Sequence, residues 1–175
     1  MACMLGHARG QKTYPRSPAR GDQADEVSKS GWYPGSGDHA WYVVFRPKER
    51  KVADLMVATM EAACRNANIG YSNGLRLGLY FFLKNNNWDY TKIDTINSLN
   101  NPFYGYGYEC DCSSLIHVCC NCAGLDIPLV DNNAMVTYSY SEPVLLRRTG
   151  AFYEITNSKY TRQSSFLRAG DILLS

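Results

Sequence analysis

Between Glu109 and Gly124 the chain reads ECDCSSLIHVCCNCAG, and this segment limits the fold more than any other. Asp111 is a turn-forming residue, and after it Leu115, Ile116, Cys119 and Ala123 recur at helical spacing on one face. Gly124 stands where such a helix stops, so the segment predicts a helix over 112–123. Five of the seven cysteines fall here, at 110, 112, 119, 120 and 122. They do not make a zinc site, because the last four share one helix and neighbours such as 119 and 120 project about 100° apart. No metal and no other cofactor is expected. Disulfides fail on the same geometry. The start, MACMLGHARG, also lacks the apolar core of a secretion signal, which points to synthesis in a reducing cytoplasm. Cys64, Cys119, Cys120 and Cys122 then read as small buried hydrophobes. Cys112 differs by position. At a helix start, free N–H groups and the positive end of the dipole favour a thiolate and can hold an oxyanion. Cys112 is the expected nucleophile.

The rest of the chain supplies what packs this helix. Its 175 residues suit one domain, and 45% hydrophobic with 19% charged residues is ordinary globular composition. A formal charge of +2 without a basic stripe gives no reason to expect nucleic acid, and no apolar run approaches the ~20 residues of a membrane span. Residues 1–38 are rich in Gly, Pro, Ser and charge and read as an irregular arm before a domain over 39–175. AWYVVF, 40–45, reads as a strand, and Pro47 as the opening of a helix running to Asn66 with Val52, Leu55, Met56, Met60 and Ala63 on its apolar face. NIGY, 68–71, is a turn. A helix is expected over 75–83 with Leu75, Leu79, Phe82 and Leu83 inward, and a helical turn near 93–99. SEPVLLRRTG reads as a short helix closed by Gly150, and AFYEIT and AGDILL as strands. Helices early and strands late imply an α+β fold. The thirteen tyrosines fit a groove for sugars or peptides as well as they fit half-buried packing.

The DCSSLI motif followed by an amphipathic helix resembles the nucleophile motif of NlpC-type cell-wall cysteine peptidases, Asp-Cys-Ser-Gly/Ser-hydrophobic. The order of segments from WYVVFRPKERKVADLMVATMEAACRNANIGYSN to YTRQSSFLRAGDILLS is similar to peptidoglycan hydrolases of phages and prophages of Gram-positive bacteria. That resemblance implies a papain-like α+β domain in which a helical part carries Cys112 against an antiparallel sheet. It implies a monomer whose partner is peptidoglycan, in the host cytoplasm before release to the wall or carried on the virion. Cys112 would attack an amide of the peptide part and form an acyl-enzyme that water resolves, as an endopeptidase or an N-acetylmuramoyl-L-alanine amidase. Asp111 would shape the turn and hold a substrate amine, and Ser113 would supply a donor near the attacked carbonyl. A tyrosine beside the oxyanion is expected at Tyr71, with Tyr106 and Tyr108 as rivals. Trp32 and Tyr33, in an arm whose Gly21, Asp22, Gln23 and Glu26 recur in such relatives, would wall the groove.

The base is the departure. The family's histidine lies on a strand just beyond a GDIL-like segment, whereas AGDILLS ends at Ser175 and no histidine follows His117. The expectation is a chain that stops just before its base, with its C-terminal strands incomplete. Histidine before cysteine occurs in permuted relatives, which makes His7 the candidate within the chain, ahead of His39. His117, five positions along the same helix, is rotated about 140° from Cys112 and reads as a packing residue. The competing reading is a cell-wall-binding or virion structural domain that keeps the fold without the base. An acyltransferase or deamidase on the same scaffold has no separate feature in its favour.

Overall fold

Short strands rich in β-branched and aromatic residues alternate with helices whose apolar positions recur every three or four residues. The computed structural model turns this pattern into small antiparallel sheets around a helical core. It describes residues 3–9, 20–22, 25–35, 37, 40–105, 107–131, 134–135 and 141–175. In chain order the elements are β1 (Met4–Ala8), β2 (Val27–Gly31), β3 (Val43–Pro47), α1 (Arg50–Arg65), α2 (Gly78–Asn85), α3 (Cys112–Cys122), β4 (Val130–Asp131), β5 (Ala134–Met135), α4 (Glu142–Arg148), β6 (Phe152–Ile155), α5 (Ser158–Arg162) and β7 (Ile172–Leu174). The fold is α+β. β1 pairs with β2, β4 with β5, and β3 is the centre of an antiparallel sheet in the order β6-β3-β7.

The start of the chain differs from its expected irregularity. Residues 4–8 and 27–31 form a ribbon in which Met4 faces Gly31 and Ala8 faces Val27. Ala8 and Val27 are both buried in the core, and the ribbon packs on α1 so closely that a Cβ at Gly6 would strike Met60. Small residues and one inward valine let this segment dock, which a composition of Gly, Ser and charge does not advertise. Pro47 is a second correction. It ends β3 opposite Phe152, Lys48 N–H extends that ladder to Ala151, and α1 begins at Arg50. A proline at the end of a strand gives up only one donor, so it is tolerated there as readily as at a helix start.

The buried stripe of α1 is Ala53, Met56, Thr59, Ala62 and Ala63 rather than its larger aliphatics. Small side chains take the closest contacts; Ala53 lies against the backbone at Gly170. α2 starts three residues later than expected, at Gly78, where a Cβ would strike the Gly107 carbonyl. The helical turn near 93–99 is a 3-10 turn over Tyr90–Thr95, capped by Asp89 and anchored by buried Ile93. α3 is enclosed on most sides: Ser113, Ser114, Leu115, His117, Val118, Cys119, Cys120 and Asn121 are all buried. Gly124, at φ 81, ends it in the left-handed region. Ile69, Leu79, Leu83, Leu115, Val118, Ile127, Leu129 and Leu146 are all at most 1% exposed. Each such side chain contributes about 1.5–3 kcal/mol of burial free energy. α3 is thereby held centrally, with its N-terminus at the surface. Among the described residues no helix is long and apolar enough to cross a membrane.

Candidate active site

Asp111 precedes α3 in extended conformation and closes a capping box. Its Oδ1 accepts from Ser114 N at 2.7 Å, and Ser114 Oγ accepts from Asp111 N at 2.7 Å. This exchange satisfies donors that a helix start would otherwise leave open, and it fixes Cys112 as the first helical residue. The seven cysteines carry no disulfide, and Cys112 is the exposed one among them. Burial pushes the thiols of Cys64 and Cys122 up to about 11 and about 12, and raises Cys110, Cys119 and Cys120 as well. These five are inert packing groups.

Cys112 is raised too, contrary to the expectation from its helix start. Its residue reaches solvent, yet surrounding atoms strip enough water from the sulfur to push the thiol up, and the Asp111 and Glu142 carboxylates add to this. Ser113, whose Oγ lies 4.0 Å from Sγ, pulls the other way through its hydroxyl and backbone N–H. Burial first, and the neighbouring carboxylates after it, favour the neutral thiol over the thiolate.

Asp111 is itself enclosed. Arg76 Nη1 lies 2.6 Å from Asp111 Oδ2, with the two side chains 6% and 4% exposed. One carboxylate oxygen serves the cap and the other the guanidinium, which suits Asp111 to shaping the turn rather than to holding a substrate amine.

Tyr71 is the tyrosine that the fold brings beside Cys112. It bridges in parallel to Cys110, flanked by Ser72 N–H to Cys110 O and Cys110 N–H to Gly70 O, both at 3.0 Å. Two residues beyond Cys110, the Cys112 sulfur is near enough for a thiolate to help raise the Tyr71 phenol, after burial. Tyr71 OH donates to Asn73 at 2.8 Å, and its N–H to buried Glu26 at 3.2 Å. Glu26, just before β2, is thus fastened to the backbone of Tyr71. Gly21 N–H also donates to buried Glu109 at 3.0 Å, and a Cβ on Gly70 would strike the Gly21 carbonyl.

The other expected residues sit elsewhere. Tyr108 is 4% exposed, stands edge-on to Phe82 and donates to Asn100 O at 3.0 Å, which makes it a packing residue. Tyr106 and His39 lie outside the described residues. Trp32 follows β2, half-buried, its backbone N–H donating to Cys3 O. Tyr33 stacks on Trp41 at 5.5 Å, beside an open groove of about 480 Å³ lined by Pro34, Trp41, Tyr42, Thr156 and Arg162. His7 lies in β1 opposite Ser28, with neither ring nitrogen in a well-aligned hydrogen bond among the described residues. Burial, and then the charge of Arg9, lower its pKa, while its backbone N–H serves Cys64. His117 is buried, as expected of a packing residue, and its Nε2 lies 3.2 Å from Glu142 Oε1.

A family model described as an endolysin-like domain matches residues 12–175. The chain belongs to that family. No curated protein and no solved structure matches it. The endolysin-like domain therefore takes in the second strand of the ribbon, the Cys112 helix and the three-stranded sheet together. Three residues of its site escaped the sequence reading: Arg76, Glu109 and Glu142. An arginine inside the apolar run LRLGLYFFL was the one available signal, because a charge there must find a buried partner.

Proposed function

We propose that this endolysin-like domain hydrolyses an amide in the peptide part of bacterial peptidoglycan, with Cys112 as nucleophile. The observation that carries the reading is one accessible thiol at a capped helix start, among cysteines that are otherwise wholly or partly buried, in a chain of this family. The reaction would run through attack of Cys112 Sγ on the amide carbonyl, with its proton passing to a base. Helix-start N–H groups other than that of Ser114, together with Tyr71, would receive the oxyanion. Expulsion of the protonated amine leaves a thioester, which water resolves to a carboxylic acid and the free thiol. An NlpC-type, papain-like arrangement is the scaffold that suits these roles. The family supports a phage-encoded protein that meets peptidoglycan after release from the host cytoplasm or from the virion.

The test is digestion of purified Gram-positive peptidoglycan by the chain and by Cys112→Ala, with soluble fragments read by mass spectrometry. Fragments released only by the intact chain are expected, and their new termini separate amidase from endopeptidase. Substitution of His7 by Gln then tests that residue as the base. A second reading, a wall-binding domain without catalysis, is favoured by the raised Cys112 thiol. Sedimentation of both proteins with peptidoglycan and no fragments from either would select it.

A further inference from the structure

The open groove of about 480 Å³ is built by residues 34–42, which lead into β3, and by residues 156–162, which run from the end of β6 through α5. None of its described lining residues comes from α3 or from the Tyr71 segment. Trp41 Nε1–H donates to the Tyr33 carbonyl at 2.8 Å, and the two rings meet at 5.5 Å and 44°. With its one donor satisfied inside the protein, the indole has only its ring to offer a ligand. Tyr42 follows, tied by its backbone N–H to Leu174 O at 3.0 Å. Tyr33 and Tyr42 are 41% and 52% exposed. Single exposed aromatics are ordinary, whereas aromatics gathered around one groove make a contiguous surface of the kind that marks a binding site. From the other segment Thr156 and Ser158 add exposed hydroxyls, and Arg162 an exposed guanidinium.

We propose that this groove is a saccharide subsite that takes the N-acetylated amino sugars of a glycan strand, separately from the peptide that Cys112 would attack. This rests on the reading of peptidoglycan as the partner, and not on Cys112 as the nucleophile. A pyranose ring carries C–H groups on its faces and hydroxyls around its rim. The faces suit the rings of Trp41 and Tyr42, and the rim suits Thr156, Ser158 and Arg162. The acetamido group brings a carbonyl for the guanidinium and a methyl for the aromatic wall. The volume falls within the ~300–1,000 Å³ of small-ligand sites, and the open side lets a polymer pass. Two other wall components fit less well. A phosphate polymer calls for several cations, and Arg162 is the one charged side chain among the described lining residues. A peptide is commonly held along a free strand edge, but β3, into which the groove's first segment leads, has both edges paired. A glycan strand held here keeps its peptide stems close to the domain and raises their effective concentration at Cys112.

The experiment titrates the full chain with tetra-N-acetylchitotetraose, a glycan free of peptide and phosphate, and follows backbone amide and indole signals by NMR. Low-millimolar binding is expected for the wild type and, equally, for Cys112→Ala. Tyr42→Ala and Arg162→Ala, both at exposed positions, are expected to weaken it roughly fivefold, and Trp41→Ala to abolish it, with melting temperatures confirming that each variant folds. A free tetrapeptide stem and poly(glycerol phosphate) serve as competitors and are expected not to displace the oligosaccharide. Absence of binding, binding that Tyr42→Ala and Arg162→Ala leave unchanged, or displacement by either competitor would overturn the inference. Digestion of peptidoglycan separates it from the proposed hydrolysis. Fragments without oligosaccharide binding would remove the subsite and keep the nucleophile; oligosaccharide binding without fragments would keep the subsite and remove the hydrolase.

Discussion

Arg76 and Asp111 show how one buried pair sets the start of α3. The guanidinium is 35 residues upstream, yet it closes at 2.6 Å on the carboxylate that caps α3. Removing one partner of such a pair leaves an unpaired charge in a nearly dry place, which typically costs about 3–5 kcal/mol. Arg76→Met is expected to lose stability on that scale in urea unfolding. Adding Asp111→Asn, which keeps an oxygen for Ser114 N–H and removes the stranded charge, is expected to recover part of the loss. No recovery in the double variant would mean that Arg76 acts through its packing alone. The Arg46–Asp171 pair does similar work between β3 and the start of β7. Arg46 Nε and Nη2 meet the two carboxylate oxygens at 2.8 and 2.6 Å, and the hydrogen bond to Asp171 raises the arginine's pKa.

At the level of elements, the ribbon β1–β2 is the least expected structure and gives a prediction about pH. His7 sits in β1 with a pKa held below its ordinary 6.5 by burial and by Arg9. A depressed histidine means that the unfolded chain takes up a proton before the folded one does. Stability is therefore full above the unfolded value and falls as pH drops from about 6.5 toward the lower folded value, then levels off. Thermal melts of the wild type at pH 7.5 and pH 5 are expected to differ more than those of His7→Gln. Equal differences would show that the ribbon opens without affecting the imidazole. The three-stranded sheet obeys simpler rules. Phe45 of β3 and Phe152 of β6 meet edge to face at 6.3 Å, as aromatic pairs on neighbouring strands do.

For the whole molecule the decisive contact is between the chain's first segment and the floor of the site. A Cβ on Gly70 would strike the Gly21 carbonyl, a Cβ on Gly21 would meet the Leu99 side chain and the Ala67 carbonyl, and Glu26 and Glu109 receive backbone N–H groups from Tyr71 and Gly21 respectively. Gly21 and Glu26 thus tie the part of the chain before β2 to the backbone that runs beside Cys112. Gly70→Ala is expected to cost roughly 1–3 kcal/mol through overpacking. It should also speed proteolysis within residues 1–38 ahead of the remainder. Uniform proteolysis, with the site intact, would show that the segment and the site are separable.

The amino-acid sequence by itself determined the parts whose information is local. The 3.6-residue periodicity, the turn-forming Asp111 and Gly124 as stop place α3 within one residue of its observed bounds, with Cys112 at the helix start. The α+β class and the strands at 152–155 and 172–174 follow from the same short-range patterns. Tertiary structure decided everything that depends on distant residues meeting or on water being excluded. It brought Tyr71 to Cys112 and Arg76 to Asp111, set Glu142 against His117, and drew residues 4–8 and 27–31 into a ribbon. It also reversed the expected direction of the Cys112 thiol. A helix start favours a thiolate wherever it occurs in a sequence, but desolvation and neighbouring carboxylates exist only once the chain has folded around the sulfur.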